Sequence, residues 1–297
     1  MRRVLALVAV LALVVAACGG GADRVSDYEL SSYTPHASQR DYRVLIRVSG
    51  TVDLGKLGPF AGGGTSGGDG SGSGTTLSFS LNADGTGTVV ERSGGFQYTL
   101  ELTDIDARLP FGAKWPTSQE TLTQTVQSDG KVTDTNGGGI LTSLPALLQG
   151  IAWNCPQLPG AALVSGSSWE SAAPLAWAAD DVSVKQRNQW EDTDVDGTQA
   201  AMISSQADDT FAYDTGIDQI TKLLGFDSPL LDGVGASLSG SVKGNSHCAL
   251  SIPDQDLLET GSNQEVSVDI KLTGGGLASL AGTLHLDATI EESMTPR

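Results

Sequence analysis

Apolar and polar residues alternate along much of the chain from Asp41 onward, which is typical of strands that bury one face. The clearest runs begin at Tyr42, Phe96 and Val266, where every second residue is apolar. Turn sequences, such as the Ser-Asp-Gly of residues 128–130, divide the runs at intervals of about ten residues. The pattern predicts a meander of antiparallel strands.

Local composition predicts two further turns. Residues 82–85 (Asn-Ala-Asp-Gly) separate a run that ends at Leu81 from a returning strand that begins at Thr88. The acidic segment 192–197 separates a predicted strand at 182–190 from another at 200–206. We therefore expect a hairpin at each of these places.

Two segments show helical spacing instead. Leucine and isoleucine recur three and four positions apart in residues 140–153, and residues 217–224 repeat this spacing over a shorter length. We expect short helices packed on the sheet. The expected fold class is mainly β, or α+β, with curved antiparallel sheets and one or two short helices. The body forms either one domain or two related halves, at 41–140 and 160–297.

Two stretches contain few apolar residues. Residues 61–75 consist almost wholly of Gly, Ser and Thr, and residues 19–40 are mostly small or polar. Such segments bury too little apolar surface to offset their backbone entropy. We expect a disordered loop at 61–75 and a flexible tether at 18–40, with a β-rich body over 41–297.

Residues 1–17 carry the features of a secretory signal. Arg2 and Arg3 precede an apolar run that is shorter than the ~20 residues a spanning helix needs. Residues 15–18 (Val-Ala-Ala-Cys) resemble the lipobox of bacterial lipoproteins. The resemblance implies cleavage after residue 17, a lipid on Cys18 and a place on the extracytoplasmic side of a cell membrane. The alternative is an ordinary cleaved signal followed by an unmodified cysteine.

The chain is strongly acidic, with a formal net charge of −18 at pH 7 that becomes −20 when Arg2 and Arg3 leave with the signal. Such a charge repels phosphate backbones and anionic headgroups. Nucleic acid is therefore excluded as a partner, and the lipid rather than a basic patch would hold the protein at a membrane.

Two cysteines remain after Cys18, namely Cys155 and Cys248. An even number of cysteines in an oxidising compartment predicts one disulfide, which closes a loop of about 90 residues. Two separate buried thiols are the alternative.

A second resemblance lies in the middle of the chain. Leu158 and Pro159, followed by Gly166, Ser167 and Trp169, are similar to a segment of uncharacterised β-rich secreted bacterial proteins, which often consist of two related halves. The likeness implies a fold family and no particular activity.

The sharpest chemical motif is acidic. Asp192, Asp194, Asp196 and Gly197 match the first half of an EF-hand calcium loop, in which alternate carboxylates converge on the ion. The position that needs a glutamate is Ile203, and the flanking residues are strand-like rather than helical. A solvated hairpin turn is therefore the favoured interpretation, with calcium as a weak alternative and no other cofactor expected.

The sequence offers no complete catalytic centre. Asp214 begins an Asp-Thr-Gly tripeptide that resembles the loop of aspartic proteases, but their chemistry needs two such aspartates and the chain has one copy. The histidines His36, His247 and His285 lack the spacing of a zinc site. We therefore expect a protein that is not an enzyme.

Trp153, Trp169, Trp177 and Trp190 fall close together in a chain with few aromatic residues. Such rings either line an apolar cleft or form the core, and the core is the favoured interpretation. Anchor, tether, sheet and helices together predict a non-enzymatic lipoprotein that binds or carries an unknown ligand, such as a lipid or another apolar molecule. The alternative is a structural or protein-interaction lipoprotein of the cell envelope.

Overall fold

The computed structural model describes residues 28–53, 75–108, 118–137, 152–175, 182–216, 235–273 and 283–297. These residues form eleven strands and, among them, no helix. The predicted mainly β class is confirmed. The strands are β1 (Gln39–Asp53), β2 (Thr75–Arg92), β3 (Gly95–Arg108), β4 (Gln119–Gln127), β5 (Val132–Gly137), β6 (Ser168–Pro174), β7 (Ser183–Val195), β8 (Thr198–Gly216), β9 (Gly235–Ser251), β10 (Leu257–Thr273) and β11 (Thr283–Pro296).

All eleven strands belong to one sheet, in the order β5-β4-β3-β2-β1-β11-β10-β9-β8-β7-β6. Every neighbouring pair is antiparallel. The centre of the sheet is made by the first strand pairing with the last, through twelve residue pairs from Tyr42 with Pro296 to Asp53 with His285. A single sheet therefore spans both segments expected to be related halves, and their relatedness stays a prediction.

The register divides the sheet into an inner and an outer face. In β1, the side chains of Tyr42, Val44 and Ile46 are buried, whereas the residues between them are more exposed. Because side chains alternate between faces, the ladder carries this inner face from strand to strand. From Val44 it continues through Met294, Thr260, Cys248, Ile203 and Trp190.

Two segments outside the sheet cover one end of the inner face. Residues 28–36 and 152–163 meet at an isolated bridge between Leu30 and Leu163. The Tyr33 hydroxyl donates a hydrogen bond to the Pro156 carbonyl at 2.8 Å. The ring of Trp153 makes edge contact with that of Tyr33, at a centroid distance of 5.3 Å. We call this end of the inner face, with its covering segments, the closed core.

The flexible tether predicted for 18–40 is too long at its C-terminal end. Leu30 and Tyr33 are 0% exposed, and β1 already begins at Gln39. Isolated apolar residues in a polar stretch show no periodicity, so the sequence pattern did not indicate that they would fill the core. Residues 1–27, which include Cys18, lie outside the described residues.

The turn predicted at 82–85 is wrong, because β2 runs through this segment. The ladder between β2 and β3 shifts in register between Asn82 and Asp84, and the chain reverses only near Gly94, which has a φ of 83°. The irregularity is therefore a bulge within a long strand, not a hairpin.

Gly87 of β2 makes room for aromatic rings. A Cβ on Gly87 would lie 2.6 Å from the Tyr98 hydroxyl and 2.7 Å from a ring carbon of Tyr42. Both tyrosines are buried, and the Tyr42 hydroxyl donates a hydrogen bond to the Leu257 carbonyl at 2.6 Å. Glycine is needed here for close packing rather than for a turn.

The remaining predictions on local structure fall partly outside the described residues. The helix predicted at 217–224, residues 140–151 of the other predicted helix and residues 61–74 of the predicted loop all lie outside. Ala152 and Trp153 form a bend rather than a helical turn. No helix in the described part of the chain is long and apolar enough to cross a membrane.

The predicted disulfide is present. Cys155 and Cys248 are joined, with their Cα atoms 5.4 Å apart and a sequence separation of 93 residues. Cys155 belongs to the covering segment and Cys248 to β9, and both are buried. The bond therefore fastens the cover to the inner face.

Gly87→Ala should lower the free energy of unfolding by about 1–3 kcal/mol, because the added methyl must displace packed tyrosine rings. Val90→Ala, which shortens an exposed side chain of the same strand, should change it by less than about 0.5 kcal/mol. Urea denaturation of both variants checks this. Equal stability of Gly87→Ala and the wild type would contradict the packing described for Tyr42 and Tyr98.

Replacing both Cys155 and Cys248 by serine should lower the free energy of unfolding by about 3–5 kcal/mol, since the unfolded chain regains the entropy of a long loop. Denaturation of this double variant, beside the wild type with and without reductant, measures the loss. An unchanged midpoint would mean that the covering segment is held without the disulfide.

Candidate ligand-binding face

A second apolar cluster lies on the inner face, toward the ends of the strands that point away from the closed core. Strands β7 to β11 and the end of β6 supply it, and its partly buried border includes Tyr213, Ile270 and Leu286. Burial raises the pKa of Tyr213 to about 12. The buried members are Leu175, Val184, Phe211, Ala236, Leu238, Val242, Val266, Val268 and Ile290.

A row of polar side chains crosses the inner face between the closed core and the second apolar cluster. The register places Asn188, Ser205, Ser246, Ser262 and Glu292 side by side on the five strands β7 to β11. Ser246 is half-buried, and the other four are only 2–8% exposed. We call these five residues the polar row.

Hydrogen bonds satisfy part of the polar row. Ser262 donates its hydroxyl to a carboxylate oxygen of Glu292 at 2.9 Å. The amide nitrogen of Asn188 donates to the Ser171 hydroxyl at 3.0 Å and to the Trp169 carbonyl at 3.3 Å. The side-chain oxygen of Asn188 accepts no hydrogen bond from the described part of the chain. Such a buried acceptor costs about 1–3 kcal/mol, which a donor on a bound molecule would offset.

A small cavity adjoins the polar row on the side of the second apolar cluster. Its volume is about 40 Å³, and its lining includes Val184, Ala207, Val242, Gly244 and Ser246. Ala207 and Gly244 are the next inner-face positions beyond Ser205 and Ser246, on the side of the second apolar cluster. They carry little or no side chain. Polar and apolar surfaces therefore meet at a place where the packing is incomplete.

The sequence pattern did not reveal the polar row. Its members come from five strands, and each looks like an ordinary polar position of an alternating strand. The only local signal lies in the middle of β8 and β10. There, polar residues occupy the positions at which the alternation on either side would place apolar ones. Burial of these positions becomes visible only when the register is known.

The acidic motif forms the hairpin between β7 and β8 rather than a metal loop. Asp196 and Gly197 have φ values of 52° and 81°, as a two-residue type I′ turn requires. Asp194 accepts the Gly197 N–H at 2.7 Å, and Asp192 accepts the indole N–H of Trp190 at 3.1 Å. Asp192 and Asp194 thus lie on an extended strand, and Asp196 lies in the turn that follows it. The described residues contain no group of three or more side chains able to hold a metal ion.

Asp214 lies exposed near the end of β8, where it accepts a hydrogen bond from the Ser237 hydroxyl of β9 at 2.5 Å.

Three of the four central tryptophans belong to the closed core. Trp153, Trp169 and Trp190 are 2%, 8% and 0% exposed. The core interpretation is therefore confirmed for these three rings, whereas Trp177 lies outside the described residues.

The histidines lie apart from one another and from the polar row. His36 approaches the Asp254 carbonyl at 3.2 Å, and His247 lies 3.8 Å from a carboxylate oxygen of Glu259. His285, on the outer face, contacts Asp269 at 2.7 Å and Asp287 at 3.0 Å.

No protein-family model matches this chain, and no curated protein matches it either.

The stability that His285 contributes should decrease as pH rises. The hydrogen bond to Asp269, and then the neighbouring Asp287, hold the pKa of His285 above its usual value. A raised pKa favours the protonated form in the folded state, so the contribution is complete below the unfolded pKa of about 6.5 and is lost above the folded pKa.

Thermal denaturation of the wild type and of His285→Gln checks this dependence. The wild type should have the higher Tm at about pH 5, and the difference should shrink toward zero at about pH 9. The same difference at both pH values would show that protonation of His285 is not involved.

Proposed function

We propose that this protein is a non-enzymatic lipoprotein, anchored on the extracytoplasmic side of a bacterial cell membrane, that holds an amphiphilic molecule on its inner face. The observation that best supports this proposal is the order of surfaces along β7 to β11: closed core, polar row, second apolar cluster. An inner face that served stability alone would be apolar throughout, because each polar group of the row loses its hydration when it is buried.

The second apolar cluster suits the chain of the amphiphile. Each methylene that leaves water contributes about 0.8 kcal/mol, so an acyl chain gains free energy where it covers the partly buried border of the cluster, which several strands supply. Partly buried residues at the border, such as Leu286 and Ile270, would contact that chain. The 40 Å³ cavity would lie near the junction between chain and head.

The polar row suits an uncharged or cationic head that donates hydrogen bonds. Asn188 offers a buried side-chain oxygen, and Glu292 brings a carboxylate to the same row. The net charge of −18 and the carboxylate of Glu292 both disfavour an anionic head. Hydroxyl and amide groups are the donors that match these acceptors.

The proposed anchor places the protein beside its ligand. A lipid on Cys18 would hold the chain at a membrane, where amphiphiles are concentrated. The segment from Cys18 to Tyr28 is short, so the sheet would stay close to the bilayer surface.

The alternative, a structural protein that binds partners through its sheet edges, has less support. The edge strand β5 has only six residues and is almost wholly polar, and the other edge, β6, ends at Pro174. Short, polar or proline-bearing edges are devices that prevent pairing with another chain.

Leu286→Gln should weaken the binding of a fluorescent monoacylglycerol by about tenfold or more, because it removes apolar contact with the acyl chain. Leu45→Gln, the same substitution on the outer face of β1, is the matched control and should leave the affinity unchanged. Fluorescence titration gives both Kd values, and the Tm of each variant verifies folding. Absence of binding by the wild type would contradict the proposal, as would equal losses in both variants.

A second variant tests the head in the same titration. Ser205→Ala removes one hydroxyl of the polar row and should weaken monoacylglycerol binding by about two- to tenfold. The same probe with its head hydroxyls methylated should bind Ser205→Ala and the wild type equally. If Ser205→Ala weakens the binding of both probes equally, the polar row does not recognise the head.

A further inference from the structure

The outer face of β7 to β11 carries a groove whose lining also includes the five residues of the polar row, on the strands between its walls. Its volume is about 1010 Å³. Two adjacent rows of aligned residues form its walls: Ser204, His247 and Gly261 in one row, and Gln206, Asn245 and Asn263 in the other. The register places both rows on the face opposite the polar row. We call this concavity the amide groove.

The amide groove presents unused hydrogen-bonding groups. The side chains of Gln206, Asn245 and Asn263 are exposed, and none makes a side-chain hydrogen bond within the described part of the chain. Each carboxamide offers two donors and one acceptor oxygen. Because the three lie on neighbouring strands, they repeat at the strand spacing of about 4.8 Å, which is comparable to the length of one sugar ring.

Two pairs of opposite charges flank the row of carboxamides in the amide groove. Arg47 and Glu291 pair at 3.8 Å beyond Asn263, and Arg187 and Glu170 pair at 3.6 Å beyond Gln206. His247 lies 3.8 Å from Glu259 inside the groove. Glu259 and Glu292 add two carboxyl groups to the lining, both outside the row of carboxamides. Neither an acidic nor a basic polymer meets a row of opposite charge there.

A flat ring forms part of the groove wall. His247 lies against the backbone of Gly261, where a Cβ would be 2.5 Å from the ring carbon Cε1. Glycine at this position lets the imidazole lie close to the sheet. The ring then offers a flat surface beside the carboxamides, on which the apolar face of a sugar can rest.

We propose that the amide groove binds a neutral, polyhydroxylated chain, that is, a glycan of the cell envelope. Sugar hydroxyls both donate and accept hydrogen bonds, as carboxamides and serine hydroxyls do. A peptide fits less well, because peptides add to free sheet edges or bury side chains in apolar pockets. The groove lies on central strands, and Met202 is the one large apolar residue among the described residues that line it.

Affinity electrophoresis of the intact protein tests this proposal with three neutral polysaccharides as probes: an α-glucan, a mannan and a galactan. Polygalacturonate is the acidic comparison. We expect at least one neutral polymer to retard the wild type and polygalacturonate to leave it unretarded. Retardation by none of the neutral polymers would overturn the proposal, and so would stronger retardation by polygalacturonate.

The variant Gln206→Ala with Asn263→Ala should weaken this binding about tenfold, since it removes two hydrogen-bonding side chains that do not line the 40 Å³ cavity. Asn82→Ala removes an exposed carboxamide from the outer face of β2 and is the matched control. Both variants should keep the wild-type Tm and the wild-type affinity for monoacylglycerol. Equal polysaccharide binding by the double variant and the wild type would place the glycan elsewhere and overturn the assignment to the amide groove.

Discussion

The antiparallel pairing of β1 with β11 is the constraint on which the rest of the structure depends. It pairs the first strand with the last in the middle of the sheet and unites two meanders, β1 to β5 and β6 to β11, into one surface. It also sets which side chains of each meander point to the inner face. A shift of one residue would turn Tyr42 and Val44 outward and bring charged residues into the core.

The inner face that results is stabilised unevenly. Aromatic contacts, the Leu30–Leu163 bridge and the Cys155–Cys248 disulfide hold the closed core. Further along the same strands, the polar row interrupts the apolar surface before the second apolar cluster begins. One end of the sheet thus serves stability, whereas the other combines apolar and hydrogen-bonding surfaces in the way an amphiphile requires. The two faces of the sheet differ as well, because the outer face carries exposed amides and matched charges.

Alternation along single strands was enough to predict the mainly β class and the strands around Tyr42, Phe96 and Val266, because a period of two is a local property. The disulfide followed from the count of cysteines. Features that depend on distant residues could not be predicted in this way. Gly85 resembled part of a turn because the side chains that pack against it, Val44, Leu100 and Leu102, belong to β1 and β3. The buried polar row stayed hidden because burial depends on register across five strands.

Native mass spectrometry of the lipidated protein, extracted in mild detergent from the membranes of its own host, shows whether the inner face holds an amphiphile. We expect a species heavier than the lipidated chain by the mass of one amphiphile with an uncharged or cationic head, and a much smaller fraction of that species for Leu286→Gln. A wild-type spectrum that contains only the lipidated chain would contradict this expectation.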